Sequence, residues 1–377
     1  MTGVAVLGST GSIGRQTLEV IAALGDRFSV RGLAAGRHSE TFSAQLAAWP
    51  EAMAWSAAGP PAELPAKRWA EGGLVQLATA DGVDLVVVAT TGMAALEAVL
   101  AALRSGRRVA LANKETLVTG GHLVEALLES LGGDRLDRLR PIDSEHSAIW
   151  QCLVGERADA VTRLVLTASG GPFRGRSAAS LASVTPAEAL AHPTWRMGAK
   201  ITIDSATLVN KAFEAIEAKW LYAIPYSKID AVIHPQSVVH SLVEFRDGSY
   251  KAQLGLPDMR LPIQFALTYP ERVSSPARSS TPGDWGALEF APLAHADYPA
   301  YATVRAAAEA GGNRGVVLNA ADEVAVEAFL DGRIAFPAIA TTIANAVERW
   351  GSDTAPDLPA IAGLDRDVRD SLRAEIG

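Results

Sequence analysis

Short apolar runs, separated by stretches with helical spacing, dominate the first third of the chain. After the first run, apolar residues recur at helical spacing from Ile13 to Leu24, and Gly25 marks the predicted end of that helix. The run at residues 83–89 is continuous enough for a strand of a parallel sheet that is covered on both faces. This alternation predicts an α/β fold. The apolar runs cover residues 4–7, 28–35, 83–89 and 108–112, and a further helix is predicted over 93–104.

The middle and the end of the chain follow different patterns. Four strands are predicted at residues 162–168, 229–234, 238–245 and 250–254. Asp247-Gly248 is a hairpin signal, so we expect an α+β domain that is partly antiparallel. A Pro-, Ser- and Gly-rich stretch follows, and then mainly helical patterns. We therefore expect four parts: residues 1–142, 143–269, a linker at 270–295 and a C-terminal helical domain at 296–377.

Composition narrows the function classes. The chain has 377 residues, of which 49% are hydrophobic, and a net charge of −8, which argues against a nucleic-acid partner. A single cysteine, Cys152, excludes an internal disulfide, and its apolar surroundings favour a core residue over a nucleophile. No signal segment or uncharged membrane-length stretch is evident, so we expect a cytoplasmic protein without a membrane partner.

A glycine-rich loop joins the first strand to the first helix. Residues 8–14 read GSTGSIG, and a loop in this context suits a dinucleotide pyrophosphate at the helix N-terminus; the alternative is a tight turn. The second strand ends at Gly36-Arg37-His38 with no acidic residue. Arg37 suits a 2′-phosphate, which favours NADP(H) over NAD, unless it is an ordinary loop cation. The strand ends at Thr90 and at Asn113-Lys114-Glu115 fall on the same predicted sheet edge, so we expect Lys114 to face the active site.

Residues 143–146 read DSEH and follow a predicted strand at 138–142. If that strand continues, Asp143 and Glu145 point to the same side and can bind one hard cation such as Mg²⁺ or Mn²⁺. A solvated acidic loop is the alternative.

A phosphate site is predicted further along the chain. Ser169 precedes two glycines, which allows a close approach to an anion or simply forms a tight turn. A helix is predicted from about 208 to 222. Ser205, Asn210 and Lys211 would then lie in its cap and first turn, where a phosphate binds well. Glu214 could be a third metal ligand, although Lys211 and Glu214 could also form a surface ion pair.

Other residues of this region have less specific patterns. Residues 191–198 form a short irregular segment that could close over a substrate, with Trp195 either on this lid or in the core. His234 and His240 are expected to be structural, because six-residue spacing on strands matches no usual pair of metal ligands.

Eleven short motifs occur along the chain in a set order. They are GSTGSIG at 8–14, LANKE at 111–115, DSEH at 143–146, SGGPF at 169–173, HPTW at 192–195, MG at 197–198, DSAT at 204–207, NK at 210–211 with Glu214, HPQS at 234–237, PDM at 257–259 and LNAADEV at 318–324. Together these motifs resemble the 1-deoxy-D-xylulose 5-phosphate reductoisomerase family from residue 4 to about 330. Ser147, Leu256 and His38 depart from the family pattern, and none of these departures removes an implied metal ligand.

The resemblance implies a role for each matching residue. The metal ligands for Mg²⁺ or Mn²⁺ would be Asp143, Glu145 and Glu214. The substrate phosphate would be bound by Ser169, His192, Ser205, Asn210 and Lys211. Lys114 and Ser144 would contact substrate hydroxyls, and Trp195 and Met197 would cover the substrate. NADPH would be lined by Thr10, Gly11, Ser12, Ile13, Gly36, Arg37, His38, Asn113, Glu115 and Gly198.

The resemblance also implies the reaction and the domain roles. The substrate, 1-deoxy-D-xylulose 5-phosphate, would be rearranged with a metal as Lewis acid, and NADPH would reduce the resulting aldehyde to 2-C-methyl-D-erythritol 4-phosphate. Residues 1–142 would bind NADPH, in a Rossmann-like fold, and residues 143–269 would carry catalysis and dimerisation. From the helical patterns at 296–377 we expect a small domain that braces the other two domains and a homodimer and takes no part in the chemistry.

Three other functions are considered at this point. An NADP-dependent oxidoreductase resembling aspartate-semialdehyde dehydrogenase would need a cysteine nucleophile, and Cys152 has no catalytic context. A related enzyme acting on a similar sugar phosphate is harder to exclude. A non-catalytic NADP(H)-sensing protein would need neither metal ligands nor a phosphate pocket.

Overall fold

The computed structural model describes residues 1–195 and 197–377, and it groups the chain into two compact units. The division into four parts that the sequence suggests stays a prediction. Within the described ranges, no helix combines the length and the apolar character needed to cross a membrane. The first unit comprises residues 1–116, 124–150 and 258–279, and the second comprises residues 117–123, 151–257 and 280–377.

The elements are numbered in chain order. The strands are β1 Thr2–Leu7, β2 Phe28–Ala35, β3 Met53–Ser56, β4 Leu85–Val88, β5 Arg108–Leu111, β6 Leu139–Pro141, β7 Val161–Ala168, β8 Ile229–Ile233, β9 Val239–Phe245, β10 Tyr250–Leu254 and β11 Ala291–Pro292. The helices are α1 Ser12–Ala23, α2 Glu40–Ala48, α3 Gly73–Thr79, α4 Leu96–Arg104, α5 Glu115–Leu131, α6 Arg135–Arg138, α7 Ser144–Leu153, α8 Pro186–Leu190, α9 Ala199–Thr207, α10 Val209–Tyr222, α11 Arg260–Thr268, α12 Pro299–Ala310, α13 Arg314–Leu330, α14 Ala338–Trp350 and α15 Leu358–Ile376.

The first unit contains a six-stranded sheet in the order β3-β2-β1-β4-β5-β6, and all of its pairings are parallel. Every residue of β4 is buried, as expected for a central parallel strand covered on both faces. The order reverses direction between β1 and β4, and in doubly wound sheets ligands bind outside the strand ends at this point. The predicted Rossmann-like sheet is therefore confirmed.

The sequence missed one strand of this sheet. Residues 49–73 gave no clear pattern because they are rich in Ala, Pro and Gly, yet β3 pairs with β2 at the sheet edge. The predicted strand at 138–142 also ends earlier than expected. β6 covers only 139–141, and α7 begins at Ser144.

The second unit contains a mixed sheet in the order β10-β9-β7-β8-β11. β7 and β8 are parallel, whereas β9 pairs antiparallel with both β7 and β10. The predicted β9–β10 hairpin is confirmed, and Gly248 in its turn has a positive φ of 83°. β11 comes from the predicted linker and pairs with β8.

The helix predicted at about 208–222 is confirmed as α10, whereas the sequence missed α9, the helix directly before it. α9 ends at Thr207, and α10 begins at Val209. Leu208 between them is left-handed, with a φ of 58°, which interrupts the helix. Side chains from α9 and α10 share one buried cluster with the C-terminal helices, including Ile203, Phe213, Val317 and Phe329.

Candidate active site

The glycine loop of the first unit exposes the N-terminus of α1. Gly11 is the N-cap of this helix and makes no side-chain cap, while Gly11 and Ser12 are exposed and Thr10 and Ile13 are half-buried. A Cβ on Gly14 would lie 2.2 Å from the Gly8 carbonyl oxygen, so only glycine fits there. The loop therefore presents uncapped backbone N–H groups, as an anion site requires.

The loop after β2 contains the three residues predicted to contact the adenosine end of the cofactor. Gly36, Arg37 and His38 are all exposed. His38 Nε2 lies 2.8 Å from the Gly59 carbonyl oxygen, which fixes its ring beside this loop. A Cβ on Gly36 would meet nothing within 4 Å, so the space beside it is open.

Asn113 and Glu115 lie at the end of β5 and hold neighbouring loops together. The Asn113 amide nitrogen donates to the carbonyl oxygens of Thr90 (2.9 Å) and Gly92 (2.8 Å) and to the Glu115 carboxylate (3.0 Å). Its amide oxygen accepts from the backbone N–H of Thr116 at 2.9 Å. This buried side chain joins the ends of β4 and β5, so its local role is to shape the strand ends.

Asp143 and Glu145 lie close together, but not for the reason that the sequence suggested. The expectation that both project from one side of a continuing strand is wrong, because α7 begins at Ser144 and Glu145 lies in its first turn. The Asp143 carbonyl accepts the backbone N–H of Ser147 at 2.8 Å, as at a helix start. A carboxylate oxygen of Asp143 and one of Glu145 lie within 4.8 Å of each other.

Two donors orient these carboxylates. Lys114 Nζ lies 3.0 Å from Asp143 Oδ2, and both side chains are largely buried. The contact follows from topology, since Lys114 follows β5, Asp143 follows β6, and these strands are neighbours. The Ser144 hydroxyl donates to Glu145 Oε2 at 2.5 Å. Lys114 is therefore buried at the strand ends and does not face bulk water, and its place in the active site stays a prediction.

The second unit brings three of the predicted phosphate residues together. His192 Nε2 lies 3.1 Å from both the Ser169 hydroxyl and the Ser205 hydroxyl. His192 Nδ1 accepts the backbone N–H groups of Thr194 (3.1 Å) and Trp195 (2.9 Å). Because Nδ1 is an acceptor, the proton of the neutral ring is on Nε2, facing the two hydroxyls. Burial lowers the pKa of His192, which favours this neutral form.

Gly171 allows the backbone after Ser169 to approach α9 closely. Its φ is +68°, and a Cβ there would lie 2.6 Å from the Ser205 carbonyl oxygen. The Gly171 N–H donates to the Ser169 hydroxyl at 3.1 Å. The loop after β7 therefore packs on the last turn of α9, which carries Ser205. The expectation that Ser205 caps the helix of Asn210 is wrong, because the two belong to different helices.

Glu214 is held at both carboxylate oxygens by residues of the first turn of α10. Asn210 Nδ2 donates to Glu214 Oε1 at 2.7 Å, and Lys211 Nζ lies 2.5 Å from Glu214 Oε2. The side chains of Lys211 and Glu214 are only 3% and 1% exposed, so the alternative of a surface ion pair is wrong. A buried charged pair is costly to form, which favours a functional reason for its presence.

The predicted lid is only partly described. Trp195 and Met197 are half-buried and Gly198 is exposed, whereas Arg196 of the same segment lies outside the described residues. The Trp195 ring centroid is 6.5 Å from that of His240. Gly198 is the N-cap of α9, so the segment leads directly into the helix that carries Ser205.

His234 and Cys152 occupy the structural positions expected of them. His234 is fully buried, and its Nε2 accepts the backbone N–H groups of Val238 and Val239 at 3.2 and 3.1 Å. The Cys152 side chain is buried.

Sequence models of known families match three long stretches of the chain. Residues 4–121 match the model described as 1-deoxy-D-xylulose 5-phosphate reductoisomerase. Residues 139–222 match the C-terminal domain of that enzyme, and residues 254–371 match a model described as the DXP reductoisomerase C-terminal domain. The chain belongs to the 1-deoxy-D-xylulose 5-phosphate reductoisomerase family.

Relatives within this reductoisomerase family extend over nearly the whole chain. The enzyme of Pelotomaculum thermopropionicum is 46% identical and covers 98% of this chain and 97% of its own. That of Thermomicrobium roseum is 47% identical and covers 100% and 98%. That of Nocardia farcinica is 50% identical and covers 93% and 89%. All three are named 1-deoxy-D-xylulose 5-phosphate reductoisomerase.

Solved reductoisomerase structures have the same fold. One described as a complex with NADPH, fosmidomycin and magnesium is 35% identical, with a TM-score of 0.88 over 100% of this chain and 98% of its own. Another, from Zymomonas mobilis in complex with NADPH, is 38% identical, with a TM-score of 0.89 over 100% of this chain and 99% of its own.

Three charged residues of the second unit, which are buried or partly buried, were not predicted from the sequence. Glu217 lies three residues after Glu214 on α10 and is 2% exposed, and helical spacing alone could have suggested it. Lys200 and Asp322 form an ion pair between α9 and α13. No local pattern signals that pair, since 122 positions separate its members.

Proposed function

We propose that the chain catalyses the metal-dependent rearrangement of 1-deoxy-D-xylulose 5-phosphate and its NADPH-dependent reduction to 2-C-methyl-D-erythritol 4-phosphate. Family membership over the whole chain supports this reaction. The observation that carries the proposal is the convergence of Ser169 and Ser205 on His192, beside a loop that only glycine permits. A dehydrogenase that recognises no phosphate would not need these groups.

The divalent cation is assigned to Asp143, Glu145 and Glu214. Three carboxylates form an oxygen donor set that suits Mg²⁺ or Mn²⁺. Each of these carboxylates is oriented by a hydrogen-bond donor. A related structure is described as a complex with magnesium. The bound metal supplies Lewis-acid polarisation of the substrate carbonyl.

Ser169, Ser205, Asn210 and Lys211 bind the substrate phosphate, together with His192. The neutral His192 ring donates from Nε2, and the hydroxyls on either side can turn their protons to an anion. Asn210 and Lys211 lie in the first turn of α10, where the helix dipole favours negative charge. The phosphate is distant from the reacting carbons, so its binding energy is used for orientation.

Lys114 and Ser144 face the substrate hydroxyls. Lys114 Nζ is a three-fold N–H donor that already lies against Asp143, next to the assigned metal ligands. Ser144 can both donate and accept. These residues orient the carbonyl and the neighbouring hydroxyl during the carbon–carbon rearrangement. Trp195 and Met197 cover the substrate and exclude water from the site.

NADPH lies along the sheet edge of the first unit. Its pyrophosphate is placed against Thr10, Gly11, Ser12 and Ile13, where the N-terminus of α1 is uncapped. Its 2′-phosphate is placed against Arg37, with Gly36 and His38 beside it. Asn113, Glu115 and Gly198 line the remaining cofactor contacts. Hydride passes from the nicotinamide to the aldehyde that the rearrangement forms.

We also propose an oligomeric state, a cellular location and the absence of two kinds of partner. The protein is assigned as a cytoplasmic homodimer without a nucleic-acid or membrane partner. The net charge of −8 supports the absence of a nucleic-acid partner. Either Mg²⁺ or Mn²⁺ can meet the needs of an all-carboxylate donor set.

The test is NADPH oxidation followed by absorbance with 1-deoxy-D-xylulose 5-phosphate, with and without Mg²⁺ or Mn²⁺. Oxidation that requires both substrate and metal is the expected result. Oxidation without metal would contradict the carboxylate assignment. No oxidation in a protein that binds NADPH would favour an enzyme of a related sugar phosphate or an NADP(H)-sensing protein.

A further inference from the structure

Lys200 joins two buried carboxylates in the second unit. Its Nζ lies 2.6 Å from Asp204 Oδ2, one turn along α9, and 2.6 Å from Asp322 Oδ2 on α13. The side chains of Asp204 and Asp322 are 2% and 0% exposed. A cation at the start of α9 therefore connects this helix to the C-terminal helices.

This arrangement is costly for a purely structural contact. Burial raises the pKa of Asp322, which means that the interior opposes its charged form. The rest of the buried surface of α13 is mostly apolar, so an apolar residue at position 322 would pack at lower cost. Packing of α13 alone does not account for a carboxylate here.

Lys200 also contacts both helices that carry residues assigned to the phosphate, α9 and α10. Its Nζ is 5.3 Å from the ring centroid of Phe213, a fully buried residue of α10. α9 carries Ser205, and α10 carries Asn210 and Lys211 in its first turn. One ammonium group thus contacts both phosphate-binding helices and α13.

The left-handed residue Leu208 explains why a contact between α9 and α10 matters. α9 and α10 are joined only through this residue, so their relative orientation is not fixed by a continuous helix. The Lys200 contacts cross the break, to Asp204 on one side and to Phe213 on the other. A shift between the two helices would separate Ser205 from Asn210.

We propose that Asp322, acting through Lys200, is a positioning residue that holds α9 against α10 so that Ser205, Asn210 and Lys211 meet one phosphate group. The C-terminal helices thereby take part in substrate recognition, contrary to the expectation that they only brace the protein. The inference rests on the proposed phosphate site. It assigns no chemical step to Asp322 or Lys200.

The test compares Asp322→Leu, Lys200→Met and the double variant in the full-length protein. Calorimetry measures the affinity for inorganic phosphate, and steady-state kinetics measures KM for the sugar phosphate and for NADPH. Because a misplacement of about 1 Å can cost ~100-fold, we expect each single variant to weaken phosphate binding by about tenfold or more. KM for the sugar phosphate rises similarly, and KM for NADPH stays unchanged. The double variant should be no weaker than Lys200→Met alone, because Lys200→Met already removes the contact with Asp322 as well as the one with Asp204.

Two further variants separate positioning from general stability. Asp322→Asn keeps a side-chain oxygen for Lys200, so we expect it to recover most of the phosphate affinity. Glu323→Leu, the matched control on the next residue of α13, removes an ion pair with Arg369 (2.7 Å) that does not reach α9. It should lower stability without changing phosphate affinity.

Several results would overturn the inference. These are phosphate affinity within about twofold of wild type in Asp322→Leu and Lys200→Met, additive losses in the double variant, or an equal loss in Glu323→Leu. If Asp322→Leu fails to fold, the phosphate affinities of Lys200→Met and Asp322→Asn decide the question. Both variants are expected to fold, because Lys200 is partly exposed and Asn has nearly the same shape as Asp. Wild-type protein without metal-dependent turnover would instead contradict the proposed function.

Discussion

The buried pair of Lys211 and Glu214 permits a test that separates stability from metal binding. Glu214→Gln keeps the side-chain size but leaves the Lys211 ammonium, 3% exposed, facing a neutral amide. Breaking a buried pair from one side costs about 3–5 kcal/mol, a large part of the ~5–15 kcal/mol that stabilises a typical protein. We therefore expect Glu214→Gln to lower the urea midpoint clearly and to abolish turnover, while NADPH binding to the first unit stays nearly intact.

A second change should restore stability but not activity. Lys211→Met in the Glu214→Gln background removes the buried charge, and replacing a whole buried pair by uncharged groups is often nearly neutral. Urea unfolding in metal-free buffer, NADPH fluorescence and turnover are measured for both variants. The matched control is Glu327→Gln, which breaks a half-exposed pair with Arg373 (3.1 Å) and should cost about 0–1 kcal/mol.

The outcomes distinguish two separate errors. A wild-type midpoint in Glu214→Gln would contradict the reading of the pair as buried and strongly coupled. Full turnover in that variant would contradict Glu214 as a metal ligand. Turnover that returns when Lys211→Met restores stability would mean that the single variant lost activity only by unfolding.

Three further predictions follow from local geometry. Arg37→Asp should lower the NADPH preference over NADH by roughly 10–100-fold, since charged hydrogen bonds contribute about 1.5–3 kcal/mol; an unchanged KM ratio would refute the 2′-phosphate role. Gly171→Ala should weaken substrate binding, because its Cβ would lie 2.6 Å from the Ser205 carbonyl oxygen; Gly175→Ala has a similar positive φ with open space around it, and equal effects would contradict the close-approach argument. His192 has a folded pKa below 6.5, so its contribution to stability is full above that pH and is lost as pH falls through the lowered pKa; NMR titration, assigned with His192→Gln, should give a value below 6.5, and a higher one would contradict the burial argument.

The sequence predicted the first unit well because its signals are local. β2 was predicted at its observed bounds, and Gly25, the predicted end of the first helix, has a positive φ of 58°. The rule that polar residues after neighbouring parallel strands lie close together also applied, because Lys114 and Asp143 follow neighbouring strands and form an ion pair. Such features depend on a few adjacent residues and on one topological rule.

The second unit was harder because tertiary packing overrides local preference. A left-handed Leu208 costs about 1–2 kcal/mol, so no sequence rule places it there; the residue is 2% exposed, and its buried surroundings hold it. The helix that carries Lys211 and Glu214, α10, is likewise buried against C-terminal helices that are far away in the sequence. Glu145 reached the expected neighbourhood of Asp143 through a helix start and not through a strand.

The carbon skeleton of the product distinguishes rearrangement from simple reduction. The protein, NADPH and Mg²⁺ would be incubated with 1-deoxy-D-xylulose 5-phosphate, and the carbon skeleton of the product would be determined by NMR. We expect a branched 2-C-methyl tetritol phosphate, formed with one NADPH per substrate. An unbranched deoxypentitol phosphate, formed with the same NADPH consumption, would show reduction without rearrangement and would refute the proposed reaction.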